Sequence, residues 1–340
     1  MSQSATEEIA QVRAECQAFR DSFTRLRTHL ARTIVGQQEV VEEVLIALFA
    51  DGHALLEGVP GLGKTLLVRS LAQSLGLSFS RIQCTPDIMP ADITGTTVVV
   101  EDAAHGQRRL DFRRGPIFAQ LVLADEVNRA TPKSQSALLE AMQERSVTVG
   151  GTTHQLERPF LLMATQNPIE QEGTYPLPEA QADRFLLKIK VRDVKREELN
   201  TIVGRTTGPR SADPPAIMPA DEILAAQRLA RRILIAPHVQ DYAVRLVLAT
   251  QPGSGFAPAA VESLLSAGAS PRGAQAIVSG AKVRALLDGR VAVSTTDIRS
   301  LAAPALRHRV MRTFEAEARG VTVDDILKGI LTAVPAEAQE

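Results

Sequence analysis

Apolar side chains at the start of the chain recur at steps of three and four residues. They are Ile9, Val12, Cys16, Phe19, Phe23, Leu26 and Leu30. This spacing places them on one face of a helix, so we expect residues 1–30 to form an amphipathic helix that packs on the core. A coiled-coil partner for the same face stays open, although the repeat is short for such a structure.

Between residues 31 and 205, short unbroken apolar runs alternate with helical patterns. Such runs are typical of strands in a parallel sheet that helices cover on both faces. The predicted strands are 53–56, 77–83, 120–124, 160–165 and 185–191, and the predicted helices include one ending at Phe49, 66–75 and 132–144. This part of the chain is therefore predicted to be an α/β domain with a three-layer parallel sheet.

Two pairs of short strands interrupt this alternation. Strands at 96–100 and 108–112 flank a turn that contains Gly106, and strands at 146–149 and 154–156 flank Gly150 and Gly151. Glycine-containing turns between short strands predict β-hairpins. We therefore expect two hairpin insertions, over 96–112 and 146–156.

The remainder of the chain has a different pattern. Residues 206–219 are rich in turn-forming residues and predict a linker. The segments 220–234, 238–249, 271–287, 296–306 and 323–333 all show helical periodicity, with Thr322 as the predicted N-cap of the last. Residues 220–335 are therefore predicted to form a small all-helical domain.

Composition narrows the class of protein. The 340 residues carry a formal net charge of −1, which removes a global electrostatic argument for nucleic-acid binding. Cys16 and Cys84 are too few and too isolated for a disulfide framework or a cysteine metal site. The polar N-terminal residues do not form a secretory signal and no apolar stretch could span a bilayer, so we expect a cytoplasmic protein without a membrane span.

The segment 58–65 reads GVPGLGKT and follows a predicted strand. In this Walker A pattern, glycines let backbone N–H groups wrap a phosphate, Lys64 reaches the β- and γ-phosphates, and the Thr65 hydroxyl binds Mg²⁺. A tight glycine-rich turn is the alternative, but the strand before the loop and the helix after it favour phosphate binding. The predicted nucleotide contacts are Gly58, Pro60, Gly61, Leu62, Gly63, Lys64, Thr65 and Leu66.

Two acidic residues follow the apolar run at 120–124. Ligands of open α/β sheets bind at the carboxyl ends of the strands. We therefore expect Asp125 to hold Mg²⁺ and Glu126 to act as the general base that activates water. Alone, a strand that ends in Asp-Glu often opens a solvated loop, but its position downstream of a Walker A pattern favours the catalytic interpretation.

Three further polar residues are candidates. Asn167 follows a predicted strand and could orient water or the γ-phosphate, although an Asn before Pro also favours a turn. Arg184 could act across a subunit boundary as an arginine finger, or form a surface ion pair with Asp183 or Glu179, which spacing alone favours. Arg272 opens a predicted helix, where a cation opposes the helix dipole and weakly suggests a phosphate contact.

Together these residues resemble the AAA+ ATPases, and closely the MoxR family. The match covers nearly the whole chain from Ile34 onward. Its most specific stretches are TPDIMPADITG at 85–95, RGPIF at 114–118, LADEVNRA at 123–130, ALLEAMQER at 137–145, ATQNPIEQEGTYPLPEAQ at 164–181, DRF at 183–185 and LRHR at 306–309. Ala182, where relatives commonly carry Leu, is a departure that affects packing only.

The resemblance implies specific roles. Asn167 matches sensor 1, Arg184 the arginine finger and Arg272 sensor 2, while Val35 and Gly36 match the loop beside the adenine. The two hairpins match the helix-2 insert and the pre-sensor hairpin. The fold it implies is an AAA+ P-loop NTPase domain followed by an all-helical lid domain.

The resemblance also implies ATP or ADP with Mg²⁺ as cofactors, and a homo-oligomeric ring, usually a hexamer, that acts as a chaperone. Proteins with von Willebrand A domains and protein clients are the implied partners. Our leading hypothesis is ATP hydrolysis at the subunit boundaries of such a ring. A nucleic-acid translocase and an ATP-switched binding module with negligible turnover are the alternatives. The basic cluster Arg108, Arg109, Arg113 and Arg114 suggests the translocase, and the lack of Trp argues against it.

Overall fold

In the computed structural model of this protein, the described residues are 3–101, 108–168, 174–207 and 216–337. Several sequence predictions fall outside these ranges. They are the turn of the first hairpin, residues 169–173 of the longest family-like stretch, and most of the linker. The side chain of Ile9 is outside the described part as well.

The strands form one central sheet and three small antiparallel pairs. Their bounds are β1 Ala54–Glu57, β2 Phe79–Gln83, β3 Gly95–Glu101, β4 Arg108–Arg114, β5 Leu121–Asp125, β6 Ser146–Val149, β7 Thr152–Gln155, β8 Leu161–Gln166, β9 Leu187–Lys190, β10 Leu265–Ala267 and β11 Met311–Arg312. The central sheet has the order β2, β5, β8, β1, β9, and all its described pairings are parallel. All five predicted core strands are therefore confirmed.

Successive residues of the central strands point to opposite faces, as the two-residue period of a strand requires. In β5, Leu121 and Leu123 belong to one buried apolar cluster, whereas Val122 and Ala124 belong to another. The first cluster includes residues of the N-terminal helices and of the C-terminal helical domain, and the second includes Leu138 of the helix after β5. Because both faces are covered, the predicted three-layer α/β architecture is confirmed.

The helices follow the predicted order, with additional short ones. Their bounds are α1 Gln3–Thr33, α2 Gln38–Phe49, α3 Lys64–Leu75, α4 Pro90–Thr94, α5 Pro132–Glu144, α6 Glu179–Ala182, α7 Arg196–Thr206, α8 Ala220–Arg232, α9 Pro237–Leu248, α10 Ala259–Glu262, α11 Pro271–Leu287, α12 Thr295–Leu306, α13 Phe314–Ala318 and α14 Val323–Ala333. The sequence pattern did not predict α4, α6, α7, α10 or α13. No helix within the described ranges has the length and apolarity needed to cross a bilayer.

The N-terminal helix α1 packs on its own chain and extends to Thr33, past the predicted end at residue 30. Cys16, Phe19, Phe23, Leu26 and Leu30 of its apolar face are all buried. The ring of Phe19 meets that of Phe49 of α2 edge-on, with 5.0 Å between the ring centroids. Contacts to α3, α8 and α11 complete the packing. The apolar face is therefore covered without a coiled-coil partner.

Both predicted hairpins are present. Strands β3 and β4 pair in antiparallel register from Gly95 and Arg114 to Glu101 and Arg108. Strands β6 and β7 pair around Gly150 and Gly151, which have φ values of 58° and 80°. Two successive residues with positive φ are characteristic of the tight hairpin turn that matches strand twist, and glycine adopts them without strain.

The C-terminal domain is mainly helical, and Thr322 caps α14 as predicted. One expectation needs correction, because β10 and β11 form a small antiparallel sheet inside a domain that was predicted to be all-helical. These strands have three and two residues, too short to show a two-residue period in the sequence. The boundaries placed at residues 206–219 stay a prediction, because one apolar cluster runs from the sheet into the helical domain.

Glu43 of α2, which lies near Arg284 and Arg307 of the helical domain, gives a testable pH dependence. Burial raises the pKa of Glu43 to about 7, Arg307 opposes this shift, and neighbouring carboxylates add to it. The neutral form is thus favoured in the folded chain, so its stabilising effect is full below the unfolded pKa and is lost as the pH rises through about 7.

We therefore expect Glu43→Gln, which mimics the neutral carboxyl, to be more stable than the parent at pH 8. The difference should be on the order of 2 kcal/mol and should shrink towards zero near pH 4. Urea unfolding at a series of pH values measures it, with Glu157→Gln, at an exposed position before β8, as the control. An equal stability of Glu43→Gln and parent at pH 8 would contradict the prediction.

Candidate functional site

The Walker A loop connects the end of β1 to the start of α3. Gly61 and Gly63 have φ values of 86° and 76°, a backbone conformation that is strained for residues with a side chain. Gly63 is the N-cap of α3. The first N–H groups of a helix have no partner within it, and they favour an anion. The loop therefore has the backbone conformation that a phosphate site requires.

Lys64 is the first residue of α3, and its ammonium group stays close to the loop. Its Nζ donates a hydrogen bond to the carbonyl oxygen of Gly58 at 2.5 Å. Burial lowers the pKa of Lys64, while the charges of Asp125 and Glu126 oppose the shift. The predicted phosphate-binding lysine and the two predicted acidic residues thus share one electrostatic environment.

Asp125 ends β5 and is 8% exposed. Its Oδ1 accepts a hydrogen bond from Thr165 Oγ1 at 2.6 Å, and its Oδ2 accepts from Arg81 Nε at 3.0 Å and Nη2 at 2.6 Å. Sequence reasoning missed both partners. Thr165 was detectable as a polar residue inside an apolar run, whereas nothing in the local sequence singles out Arg81.

Glu126 adopts a left-handed backbone conformation, with φ 58° and ψ 50°. Few residues other than glycine do so, and here surrounding contacts hold it. Its N–H donates to Thr165 Oγ1 at 2.7 Å, and its carboxylate accepts from Arg129 at 3.0 Å and from Gln83 at 3.3 Å. The Thr165 hydroxyl therefore contacts both predicted acidic residues.

Asn167 follows β8, which lies between β5 and β1 in the sheet. The backbone of Gly58 reaches the same strand end, because its N–H donates to Gln166 O at 3.3 Å. Asn167 is 5% exposed. The structure thus brings it to the sheet edge that carries the Walker A loop and the acidic pair, as predicted.

The side-chain oxygen atoms of Asp125 and Thr65 are of the kind that bind a magnesium ion. Mg²⁺ in nucleotide sites is held by one or two protein oxygens together with phosphate oxygens and water. Asp125 offers a carboxylate at the end of β5, and Thr65 offers a hydroxyl in the first turn of α3. When bound, the ion would neutralise charge on the β- and γ-phosphates.

A largely apolar cavity of about 200 Å³ adjoins the Walker A loop. Its walls come from the loop after α1, the Walker A segment and the chain from β9 to α7. They are Thr33, Ile34, Val35, Gln37, Val40, Gly61, Leu62, Gly63, Lys64, Leu66, Leu67, Val191, Val194, Leu199, Ile202 and Arg205. Such a cavity suits the flat, apolar faces of a nucleotide base. Sequence reasoning placed Val35 here but missed the wall from α7.

Gly36 has a structural reason to be glycine. Its φ is 68°, and an added Cβ would lie 2.5 Å from Glu198 Oε1 of α7. Glu198 forms an ion pair with Arg192, with contacts of 2.5 and 2.9 Å, and this holds the pKa of Glu198 down at about 2. Because Gly36 has no side chain, Glu198 can pack against it, and α7 lies against the loop predicted to lie beside the adenine.

Arg184 lies away from this cavity, in a separate cleft of about 340 Å³. Its Nη1 donates to Leu139 O at 2.9 Å, and its Nε is buried with no hydrogen-bond partner in the described part of the chain. Asp183 pairs with Arg309 instead, and Glu179 does not contact the guanidinium. The surface ion pair that spacing favoured is therefore wrong.

Arg272 lines the same cleft as Arg184. It follows Pro271 in α11, and Ser270 caps this helix as predicted. The Arg272 side chain is 50% exposed, and its Nη1 lies 3.9 Å from Asp183 Oδ2. No residue lines both this cleft and the cavity beside the Walker A loop. The structure thus separates Arg184 and Arg272 from the predicted phosphate-binding residues of their own chain.

Two protein-family models and several known proteins are similar to this chain. Residues 53–187 match the model of the ATPase family associated with various cellular activities (AAA), and residues 258–330 match the AAA lid domain. The chaperone MoxR1 of Mycobacterium tuberculosis is 43% identical over 89% of this chain and 79% of its own length. Protein MoxR of Methylorubrum extorquens is 32% identical, over 94% of this chain and 96% of its own.

The chain belongs to the MoxR family of AAA+ ATPases. An uncharacterised relative, YeaC of Bacillus subtilis, is 42% identical to this MoxR-family chain over 92% of it and 93% of its own length. A crystal structure of a protein from Cytophaga hutchinsonii superposes with a TM-score of 0.90 at 37% identity, covering 98% and 99% of the two chains. The predicted fold, an AAA+ domain followed by a helical lid, is confirmed.

The contacts of Thr165 give a prediction for this site. Thr165→Val keeps the shape of the side chain but removes both hydrogen bonds of the hydroxyl, so Asp125 and the Glu126 backbone lose a shared anchor. We expect Mg²⁺-dependent binding of a fluorescent ATP analogue to weaken about ten-fold, as for other partners of metal ligands. Thr165→Ser, which retains the hydroxyl, should bind like the parent. Equal affinity for Thr165→Val would show that the anchor is dispensable.

Proposed function

We propose that this MoxR-family chain binds ATP with Mg²⁺ and hydrolyses it to ADP and phosphate at the subunit boundaries of a ring. The proposal is supported by the convergence of the Walker A loop, Asp125, Glu126 and Asn167 on one sheet edge. The apolar cavity beside the loop supplies a place for the adenine.

Within one subunit, each residue has a distinct role. The Walker A backbone and Lys64 bind the phosphates, and Thr65 and Asp125 would hold the ion. Glu126 accepts a proton from the attacking water, and Asn167 orients that water or the γ-phosphate. To bind the phosphates, Lys64 must exchange its hydrogen bond to the Gly58 carbonyl for phosphate oxygens.

The observation that supports a ring is the separation of Arg184 and Arg272 from the Walker A loop of their own chain. Phosphoryl transfer gains most when a cation stabilises the charge on the transferring group. A cleft that holds Arg184 and Arg272 outside the cavity of its own subunit can supply this cation to a neighbour. We therefore assign Arg184 as the finger in trans, with Arg272 beside it as sensor 2 towards the same neighbouring nucleotide.

The cycle of such a ring would drive remodelling, assembly or activation of protein clients in the cytoplasm. A relative named as a chaperone supports this class of activity. A hexameric ring and a partner with a von Willebrand A domain are the specific forms that we propose. The exposed arginines of β4 suit the nucleic-acid translocase, but the net charge of −1 argues against it. Glu126 and Asn167 disfavour the binding module without turnover.

The first test measures the ATP hydrolysis rate per chain against protein concentration, with Mg²⁺ and with EDTA. We expect the specific rate to rise with concentration and to vanish with EDTA. A specific rate that is independent of concentration over the range in which sedimentation shows assembly would contradict a site completed by a neighbour.

Arginine and glutamate variants test the boundary directly. A ring made only of Arg184→Ala chains has intact Walker A residues but no finger, so its ATP hydrolysis rate should fall about 10³-fold. Glu126→Gln should also be inactive but still offer its finger. Mixing the two should recover activity where a Glu126→Gln chain supplies Arg184 to an Arg184→Ala chain. No recovery from a mixture that co-assembles would reject the finger in trans.

A further inference from the structure

The turn that carries Arg184 is held by the helical domain. Residues 183–186 connect α6 to the edge strand β9, and His308 and Arg309, which follow α12, contact them. Arg309 donates from Nη2 to the carbonyl oxygens of Asp183 at 2.8 Å and Phe185 at 2.7 Å, and from Nη1 to that of Leu186 at 3.2 Å. His308 Nε2 adds a contact of 3.0 Å to the Phe185 carbonyl.

The side chain of Asp183 completes this connection. Its Oδ1 accepts from Arg309 Nε at 2.7 Å, and its Oδ2 accepts from Ser270 Oγ at 3.0 Å. Arg309 is 3% exposed, and Asp183 is the one carboxylate that pairs with it within the described residues. Since a buried cation without its partner is strongly unfavourable, loss of the Asp183 charge should loosen the turn.

The same contacts also reach Arg272, which lines the cleft with Arg184. Ser270 is the N-cap of α11, accepting from the N–H of Arg272 at 3.2 Å while donating to Asp183. Arg184 adjoins Asp183 in the chain, and Arg272 lies two residues after Ser270. One cluster, made of Asp183, Ser270 and Arg309, therefore fixes the backbone beside Arg184 and Arg272.

We propose that Asp183 and Arg309 are positioning residues for the arginine finger, fastening the Arg184 turn to the helical domain so that the two move together. The inference rests on the proposed function, because it assumes that Arg184 acts on the nucleotide of a neighbouring subunit. In this scheme, the position of the helical domain in one subunit sets the geometry of the finger that the subunit offers to the next.

Apart from the backbone of its turn, few contacts of the described residues hold the guanidinium of Arg184 in place. Its one described hydrogen bond is to the Leu139 carbonyl, and its Nε is buried without a partner. The backbone position of the turn therefore determines where the guanidinium ends. Displacement of a catalytic group by about 1 Å can cost on the order of 100-fold in rate.

The test uses the mixed ring of Arg184→Ala and Glu126→Gln chains, with one further substitution in the chain that donates the finger. Glu126→Gln/Asp183→Asn keeps the shape of Asp183 but removes its charge. We expect the recovered rate to fall about ten-fold or more, because the donor presents a displaced finger. Since the donor's own site is already inactive, the fall reports only what it supplies to its neighbour.

The reciprocal mixture separates positioning from general damage. Placing Asp183→Asn in the Arg184→Ala chain should leave the recovered rate unchanged, because that chain offers no finger. A fall in this mixture as large as that in the donor mixture would overturn the proposal, since it would reveal a structural role within the subunit's own site. A donor that carries Asp183→Asn and recovers fully would also overturn it.

Asp324→Asn in the donor is the matched control. Asp324 also joins the helical domain to the sheet, through Lys190 at 2.5 Å, at the end of β9 opposite the Arg184 turn, and it pairs with Arg307 of its own domain at 3.1 Å. We expect full recovery with it. Arg309→Lys in the donor, which keeps the charge but loses the planar fork, should reproduce the loss if Asp183→Asn folds poorly.

Binding of a fluorescent ATP analogue and sedimentation of each ring complete the design. Both should match the parent for every donor, because neither depends on finger geometry within the donor. If the unmodified pair of Arg184→Ala and Glu126→Gln fails to recover activity, the finger in trans is rejected. If that pair recovers and the Asp183→Asn donor recovers equally, the positioning role alone is rejected.

Discussion

The parallel register of β1, β5 and β8 is the constraint on which the site depends. Gln166 of β8 pairs with Glu57 of β1, and Ala164 pairs with Ala124 of β5, so the three strands end at one level. Neighbouring strands lie about 4.8 Å apart, which brings the residues that follow them within reach of a single phosphate group. A shift of one residue in any strand would turn its buried side chains to the wrong face, so core packing and site geometry fix each other.

The converging residues carry charges that the chain must compensate before any ligand arrives. Lys64 donates to Gly58, Asp125 pairs with Arg81, and Glu126 accepts from Arg129. Buried charges without such partners would be costly. The same partners keep the side chains in place, so the site is largely formed in advance. In the proposed function, nucleotide binding is therefore an exchange of partners, in which Lys64 gives up the Gly58 carbonyl for phosphate oxygens.

Features that are contiguous in the chain could be predicted from the sequence. The Walker A loop, the acidic pair after β5 and Asn167 after β8 each combine a strand pattern with the residues that follow. Contacts between distant segments could not be predicted. Arg81 of β2 meets Asp125 of the neighbouring strand β5, and α7 packs on Gly36 to close the cavity proposed for the base. Spacing suggested that Asp183 would pair with the adjacent Arg184, but neighbours in a turn point apart, and Asp183 meets Arg309 in another domain.

The pair of Arg309 and Asp183 is a poor means of raising stability, because removing both charges from water offsets most of their attraction. Its geometry indicates another benefit. A guanidinium is planar and rigid, so the carbonyls of Asp183, Phe185 and Leu186 can all accept from it in only one arrangement of the turn. The half-exposed pair of Lys190 and Asp324 joins the same two domains through one flexible ammonium group and imposes no such arrangement. The buried arginine therefore specifies a position more than it adds stability, and the residue next in the chain to that position is Arg184.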